Sequence, residues 1–454
     1  MHLPVIFREY DIRGVFDKEF DVDFAYRLGA GVFAYLEHHG FSPSTKAICV
    51  GRDARLSSPA IEDAVVRGLK DSGATVIQLG LVTSPMCYFA TFELPNIAGA
   101  IQITGSHNPP EYNGFKISAG QMTIFGDQIQ DLKTYIEKEP SKRSGGSVKD
   151  VDIKPLYIER YKKEFSELNA SVVFDCGNGA AGAILRPLLT ALGMKSTILF
   201  EEPDGRFPNH HPDPTVEKNL VDLKAAVLKE KAACGIGFDG DADRIGLIDH
   251  TGRVVYGDEL MVIVARDILK KTPGAKIIGD VKCSDRLFHE IEKCKGLPIM
   301  WKTGHSLIKE KIRVEKAPFG GEMSGHIFFK DRNYGTDDAI YAALRVIEIL
   351  STSKLTLPEL LKGLPSAHST PEIRIDTTEE KKHLIVEKIQ SVFSTRKDLK
   401  VNLIDGIRVS YPDGWALCRA SNTQPVIVFR FESETESGLQ RIQKEFEDLA
   451  KEYL

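Results

Sequence analysis

At 454 residues the chain exceeds what one hydrophobic core supports, and its 42% hydrophobic content is ordinary for a folded soluble protein, so three or four domains are expected. The formal net charge of −5 comes from acidic and basic residues mixed along the whole length. No segment therefore reads as a nucleic-acid or membrane surface, and an anionic small molecule must be caught by local groups.

The N-terminal stretch "MHLPVIFREYDIRG" meets a charge after a short apolar run, and the later run "LMVIVA", Leu260 to Ala265, falls far short of a membrane span. A cytoplasmic location is expected. Strand-like runs then alternate with amphipathic helical stretches: "AICVG", "SPAIEDAVVRGLKDSG", "ATVIQLG", a second helical stretch and "NIAGAIQIT". Such alternation builds α/β layers. The stretch "KEPSKRSGGSVKD" has the composition of a solvated linker, and the pattern restarts after it with "SVVFDCGNGAAGAILRPLLTALG". A third restart follows a hairpin predicted around Thr251 and Gly252. After "KGLPSAHSTPE" the texture turns to strands followed by a terminal helix, "SGLQRIQKEFEDLAKEYL".

The fold class expected is thus three consecutive α/β domains of similar plan, residues 1–150, 151–252 and 253–364, then a smaller α+β domain, residues 365–454, around a central cleft. The seven cysteines, Cys49, Cys87, Cys176, Cys234, Cys283, Cys294 and Cys418, are odd in number and never form a CxxC pair. They read as buried thiols in a reducing compartment, which disfavours a disulfide framework or a structural zinc site.

Each expected domain carries one polar, mostly Gly-containing loop. In "TGSHNPPEYNGFK", Ser106 follows Gly105 at a strand end, with His107 and Lys116 close by as proton carrier or phosphate partner. The same spacing also serves a turn or helix cap, and the G-x-S-x-G elbow of a serine hydrolase is absent. In "GIGFDGDADRIG", Asp239, Asp241 and Asp243 alternate after an apolar strand, and crowded carboxylates of this kind call for a hard divalent cation such as Mg²⁺. Arg244 could hold the loop or reach a phosphate. A solvated acidic turn is the alternative, whereas an EF-hand is disfavoured by Arg244 and His250 at its Gly and Glu positions. In "GGEMSGH", Glu322 and Ser324 suit vicinal sugar hydroxyls or a plain Gly-rich turn, and "RASNTQP" offers the inventory of a phosphate clamp. A nucleophile, a metal, a hydroxyl reader and a phosphate anchor together answer to a phosphorylated sugar.

With "FREYDIRG", "TGSHNPPEYNGFK", "DGDADR", "WKTGHSLIK", "GEMSGH" and "RASNTQP" in this order, the chain resembles the α-D-phosphohexomutase family over essentially its whole length, within it the bacterial phosphomannomutase/phosphoglucomutase group. The resemblance implies that Ser106 carries a phosphoryl group and gives it to a hexose phosphate, forming a hexose 1,6-bisphosphate that turns round and returns its other phosphate. It implies one Mg²⁺ on Ser106, Asp239, Asp241 and Asp243. Lys116 is the candidate for the proton and Arg13 an electrostatic partner, since a guanidinium pKa above about 12 makes a poor acid or base; His107 is a substitute. Tyr10, Arg244, Lys282, His305, Glu322, Ser324, Arg419, Ser421, Asn422 and Thr423 are implied ligand contacts. The expected partners are small phosphosugars, mannose and glucose phosphates first because they share C3 and C4, with neither nucleic acid nor membrane and a monomer by default. Met323 stands where the glucosamine-specific branch generally differs, which sets a phosphoglucosamine mutase second. A non-catalytic sugar-phosphate or cation binder would have no use for a phosphorylatable serine. Gln424 replaces the Glu usual before the proline of the last loop, a change expected to be tolerated or mildly favourable to phosphate binding. The segment "KGLPSAHSTPE" is the expected hinge for closure.

Overall fold

The computed structural model describes residues 6–422 and 425–451. It holds four sheets, met in turn along the chain. The first has the order Ile12–Val15, Tyr112–Ala119, Ile97–Ile103, Ala47–Arg52, Thr75–Leu81, Ser147–Asp150, with Met122–Thr123 paired to one side. Its centre is parallel, as α/β crossovers demand, whereas Tyr112–Ala119 returns antiparallel beside Ile97–Ile103. The helix Ser58–Asp71 shows why the crossover packs. Ile61, Ala64, Val65 and Leu69 recur at helical spacing and are buried, and Pro59 occupies the first turn, where its missing N–H costs nothing.

The second sheet runs Val254–Val255, Ile245–Asp249, Cys234–Phe238, Val172–Asp175, Thr197–Leu199. The hairpin expected around Thr251 and Gly252 is present, with Val254 and Val255 paired to Ile248 and Leu247 across it. The third sheet runs Leu297–Trp301, Lys276–Asp280, Phe319–Gly321, Ile327–Phe329. The fourth is antiparallel: His368–Ser369, Val426–Ser433, Gly414–Ala420, Ile407–Tyr411, Lys400–Asn402, with Ile373–Asp376 also on Val426–Ser433 and the helices Glu379–Phe393 and Glu436–Lys451 packed on it.

The apolar cores do not follow the sheets one to one. A single buried cluster runs from the helix Ser84–Glu93 through the second and third sheets, while the outer face of the first sheet and the last sheet keep their own cores. All seven thiols are free, and only Cys294 is less than fully buried. No helix among the described residues is long and apolar enough to cross a membrane.

One topological feature positions the chemistry. Each of the four polar loops joins two antiparallel neighbours of its sheet: Ile97–Ile103 to Tyr112–Ala119, Cys234–Phe238 to Ile245–Asp249, Phe319–Gly321 to Ile327–Phe329, and Gly414–Ala420 to Val426–Ser433. Strand ends fix such loops far more tightly than a free connection would be fixed.

Candidate active site

Ser106 leaves the strand with φ +48, a left-handed backbone that a side chain other than glycine rarely adopts. Strain of this kind persists only where the surroundings over-determine it. Its hydroxyl donates to Asp239 Oδ2 at 2.8 Å and lies 3.2 Å from His107 Nδ1, although the two acidic and serine loops are 133 residues apart. Asp239 is oriented from its other oxygen by the backbone N–H groups of Asp243 and Arg244.

Asp239, Asp241 and Asp243 are completely buried, with one oxygen from each inside a sphere that a single ion spans. Asp241 Oδ1 and Asp243 Oδ1 accept no hydrogen bond from the described residues. Buried, unsatisfied, all-oxygen donors beside a serine hydroxyl fit a hard divalent cation. Lys116, on the returning strand opposite Gln102, puts its ammonium on Asp241 at 2.6 Å and in contact with Asp243. Burial alone would strip its proton, and the two carboxylates more than restore it, so the ammonium is held above the usual lysine range. Burial, together with Asp241 and Asp243, pushes the Asp239 carboxyl well above the carboxylate range. Burial and then the charges of Arg244 and Arg13 keep His107 neutral, far below the usual imidazole value.

In front of this centre lies a cavity of about 700 Å³, walled by all four parts of the chain. From the first come Tyr10, Arg13, Ser106, His107 and Lys116; Arg13 is aimed by Asn108 Oδ1 at 2.7 Å and by Asp11. The second gives Arg244. The third gives Lys282, His305, Glu322 and Ser324, with Glu322 held by Gly304 N–H and by the Ser324 hydroxyl at 3.1 Å. From the fourth, Arg419, Ser421 and Asn422 face the same space, Arg419 being steadied by Asp405 at 3.0 Å. The aspartates stand behind Ser106 rather than on the wall, and Thr423 and Gln424 lie outside the described residues.

Several residues of the site were not singled out from the sequence. His326 closes "GGEMSGH": Arg244 Nε donates to its Nε2 at 2.8 Å, Asp337 lies 3.1 Å from its Nδ1, and its ring stacks on His305. Its presence in a quoted motif was the available signal. Ser84 donates to Asp241, and Glu372, in the expected hinge, pairs with Lys282 at 2.7 Å. Ser369, Thr370 and Pro371 line the cavity beside it, so that segment is wall as well as connection.

A strained serine backed by buried carboxylates and faced by cations from four directions defines a phosphoryl-transfer enzyme whose ligand is anionic and hydroxyl-rich. Comparison with known proteins narrows the class. In order, the chain matches "Phosphoglucomutase/phosphomannomutase, alpha/beta/alpha domain I" over residues 4–143, domain II over 155–252, domain III over 256–368 and the C-terminal domain over 372–449. It is 44% identical over 447 residues to the phosphomannomutase/phosphoglucomutase of Pseudomonas aeruginosa, covering 98% of this chain and 95% of that protein. The phosphoglucomutase of Neisseria gonorrhoeae is 43% identical over 447 residues, 97% and 95% of the two chains. A crystal structure of a phosphoglucomutase/phosphomannomutase family protein from Burkholderia thailandensis superposes with a TM-score of 0.91 at 40% identity, covering 99% and 97%. The chain belongs to the phosphoglucomutase/phosphomannomutase family.

Proposed function

We propose that this chain exchanges phosphate between C1 and C6 of mannose and glucose through a phosphorylated Ser106 and a hexose 1,6-bisphosphate. The observation that carries the reading is the strained Ser106 turn, hydrogen-bonded to Asp239 at the wall of a cavity built by all four parts of the chain. In the forward step the P–Oγ bond of phospho-Ser106 breaks as a P–O bond forms to the free hydroxyl of the hexose phosphate. The sugar hydroxyl gives up its proton as it attacks and Ser106 Oγ takes one up as it leaves, with His107 Nδ1 standing 3.2 Å from that oxygen. Lys116, held as an ammonium on Asp241 and Asp243 and lining the same cavity, opposes the negative charge that develops at Ser106.

Asp239, Asp241 and Asp243 would hold Mg²⁺, which when bound neutralises charge on the transferring phosphoryl group. Arg419, Ser421 and Asn422, on the fourth part of the chain, would clamp the phosphate that is not reacting, while Glu322 and Ser324 read two sugar hydroxyls in either pose. A site that reads C3 and C4 leaves C2 unread, which favours acceptance of mannose and glucose alike.

The test is steady-state turnover of mannose, glucose and glucosamine 1-phosphates with Mg²⁺ and a trace of hexose 1,6-bisphosphate, beside intact-mass analysis. Comparable rates on the first two and a phosphoryl adduct absent from Ser106→Ala are expected. A strong preference for glucosamine 1-phosphate would overturn the substrate assignment, and an enzyme that never gains the adduct would overturn the mechanism.

A further inference from the structure

The turn that presents Ser106 is gathered around a buried side chain outside the set described so far, Arg55. Its Nη2 donates to the carbonyls of Ser106 at 2.8 Å and Asn108 at 2.6 Å, and its Nη1 to those of Pro109 at 2.5 Å and Tyr112 at 2.9 Å. Nε reaches Asp53 Oδ2 at 3.2 Å, so every nitrogen of the guanidinium is engaged. Asp53 holds the turn from the other end. Its carboxylate accepts the N–H of Gly105 at 3.1 Å and the hydroxyl of Thr104 at 2.8 Å, and Thr104 Oγ1 in turn accepts the N–H of Ser106 at 2.8 Å.

Both sides of Ser106 are therefore fixed, its N–H through Thr104 to Asp53 and its C=O to Arg55. Ser58 donates to Asp53 at 2.6 Å and ties the pair to the start of the helix Ser58–Asp71. The ring of Phe207, carried by the second part of the chain, covers the guanidinium at 5.3 Å. A planar fork of five donors can span four carbonyls, whereas an ammonium, with three donors at one point, cannot. The four backbone oxygens are thus taken up by a side chain that is not part of the cavity lining.

We propose that Arg55 is a positioning residue for phosphoryl transfer: it holds the Ser106 turn in its left-handed form and so sets the line along which the phosphoserine meets the sugar hydroxyl. The inference rests on the mutase reading above. Arg55 does not line the cavity, so its loss should act on the chemical step and spare ligand binding.

The test compares Arg55→Lys and Arg55→Met with the unaltered chain, each checked for a cooperative melt. Measured are kcat and KM for glucose 1-phosphate, and the ³¹P resonance of phospho-Ser106. Misplacement of a reacting atom by an ångström costs about 100-fold, so kcat should fall by that order in both folded variants. KM should stay within about threefold, since uniform binding is untouched. The ³¹P resonance of phospho-Ser106 should shift or broaden in both folded variants. Wild-type kcat with an unmoved resonance in either folded variant overturns the proposal, as does loss of the fold in both, which would make the role structural. If the unaltered chain forms no phosphoserine and turns nothing over, it is the mutase reading that fails instead.

Discussion

Gly240 stands between two of the three buried aspartates, and its α-carbon faces the serine turn. A β-carbon there would meet the carbonyl oxygen of Ser106 at 2.4 Å. That carbonyl cannot retreat, because Arg55 holds it at 2.8 Å from the other side. In Gly240→Ala the acidic loop and the serine turn must therefore part, at an overpacking cost of about 1 to 3 kcal/mol. Expected is a melting temperature lowered by a few degrees and a much larger loss of kcat, read from thermal melts and steady-state rates on one preparation. Turnover at the wild-type level would show that the two loops adjust without disturbing the distance from Ser106 to Asp239. The residues legible in the sequence were those that chemistry crowds into one short run, such as Asp239, Asp241 and Asp243, or Ser106 with His107. Arg55, Asp337 and Ser84 escaped because each reaches the site from another element, 51 residues before the serine in the case of Arg55.

The helix Ala339–Ser353 begins on Asp338, whose carboxylate caps the N–H of Tyr341 at 2.9 Å and also accepts the hydroxyls of Tyr157 and Tyr161 from the helix Lys154–Glu164. One carboxylate thus joins two helices of different sheets. Burial raises its pKa from 3.8 to about 6, against the pull of the tyrosines and the cap. A carboxyl whose pKa is higher folded than unfolded favours the fold while it keeps its proton. That stabilisation is complete below pH 3.8 and is lost as the pH rises through about 6. The span of roughly 2 pH units corresponds to about 3 kcal/mol. Asp338→Asn keeps an acceptor for the cap and removes the titration. Denaturant midpoints at pH 4.5 and 7.5 should then show the variant gaining on the unaltered chain at the higher pH, whereas a pH-independent difference would mean that the Asp338 carboxyl titrates alike in the folded and unfolded chain. Nothing local predicts this contact: "YGTDDAIYAAL" announces a helix start, but the tyrosines lie some 180 residues earlier. Elements and their order were readable from periodicity, and the hairpin at Thr251 was placed correctly from its turn residues. The core that runs through the helix Ser84–Glu93 and the second and third sheets was not, since shared burial leaves no mark on any one segment.

Three parts of the chain meet on one hydroxyl. Tyr10 donates to the carbonyl of Thr303 at 2.5 Å and accepts from the side chain of Asn422, so the first, third and fourth parts are tied across the mouth of the cavity. Gly304 beside it has φ +140, and a β-carbon there would strike the Tyr10 ring at 2.4 Å, so the approach is as close as backbone allows. The last part is also seated from behind: Arg408 donates to the carbonyls of Val281 and Cys283 and lies 3.5 Å over the Trp415 ring, while Arg430 reaches Lys282 O and Asp258. Both arginines are buried, and their bonds grip the segment that carries Lys282, so the last part of the chain is held from behind as well as through Tyr10. A mutase that turns its intermediate round needs such a clasp, because the bisphosphate is bound neither to Ser106 nor to any other residue covalently while it reorients. Removing the hydroxyl in Tyr10→Phe deletes two hydrogen bonds of about 1 kcal/mol each, which weakens closure by an order of magnitude or more. The variant should release more hexose 1,6-bisphosphate per product formed and depend more steeply on added bisphosphate for its rate. Single turnover of the phosphorylated enzyme with labelled glucose 1-phosphate measures that partition directly. An unchanged partition would place the clasp elsewhere, with Arg8 and Glu379, 3.5 Å apart between the first and last parts, as the next contact to remove.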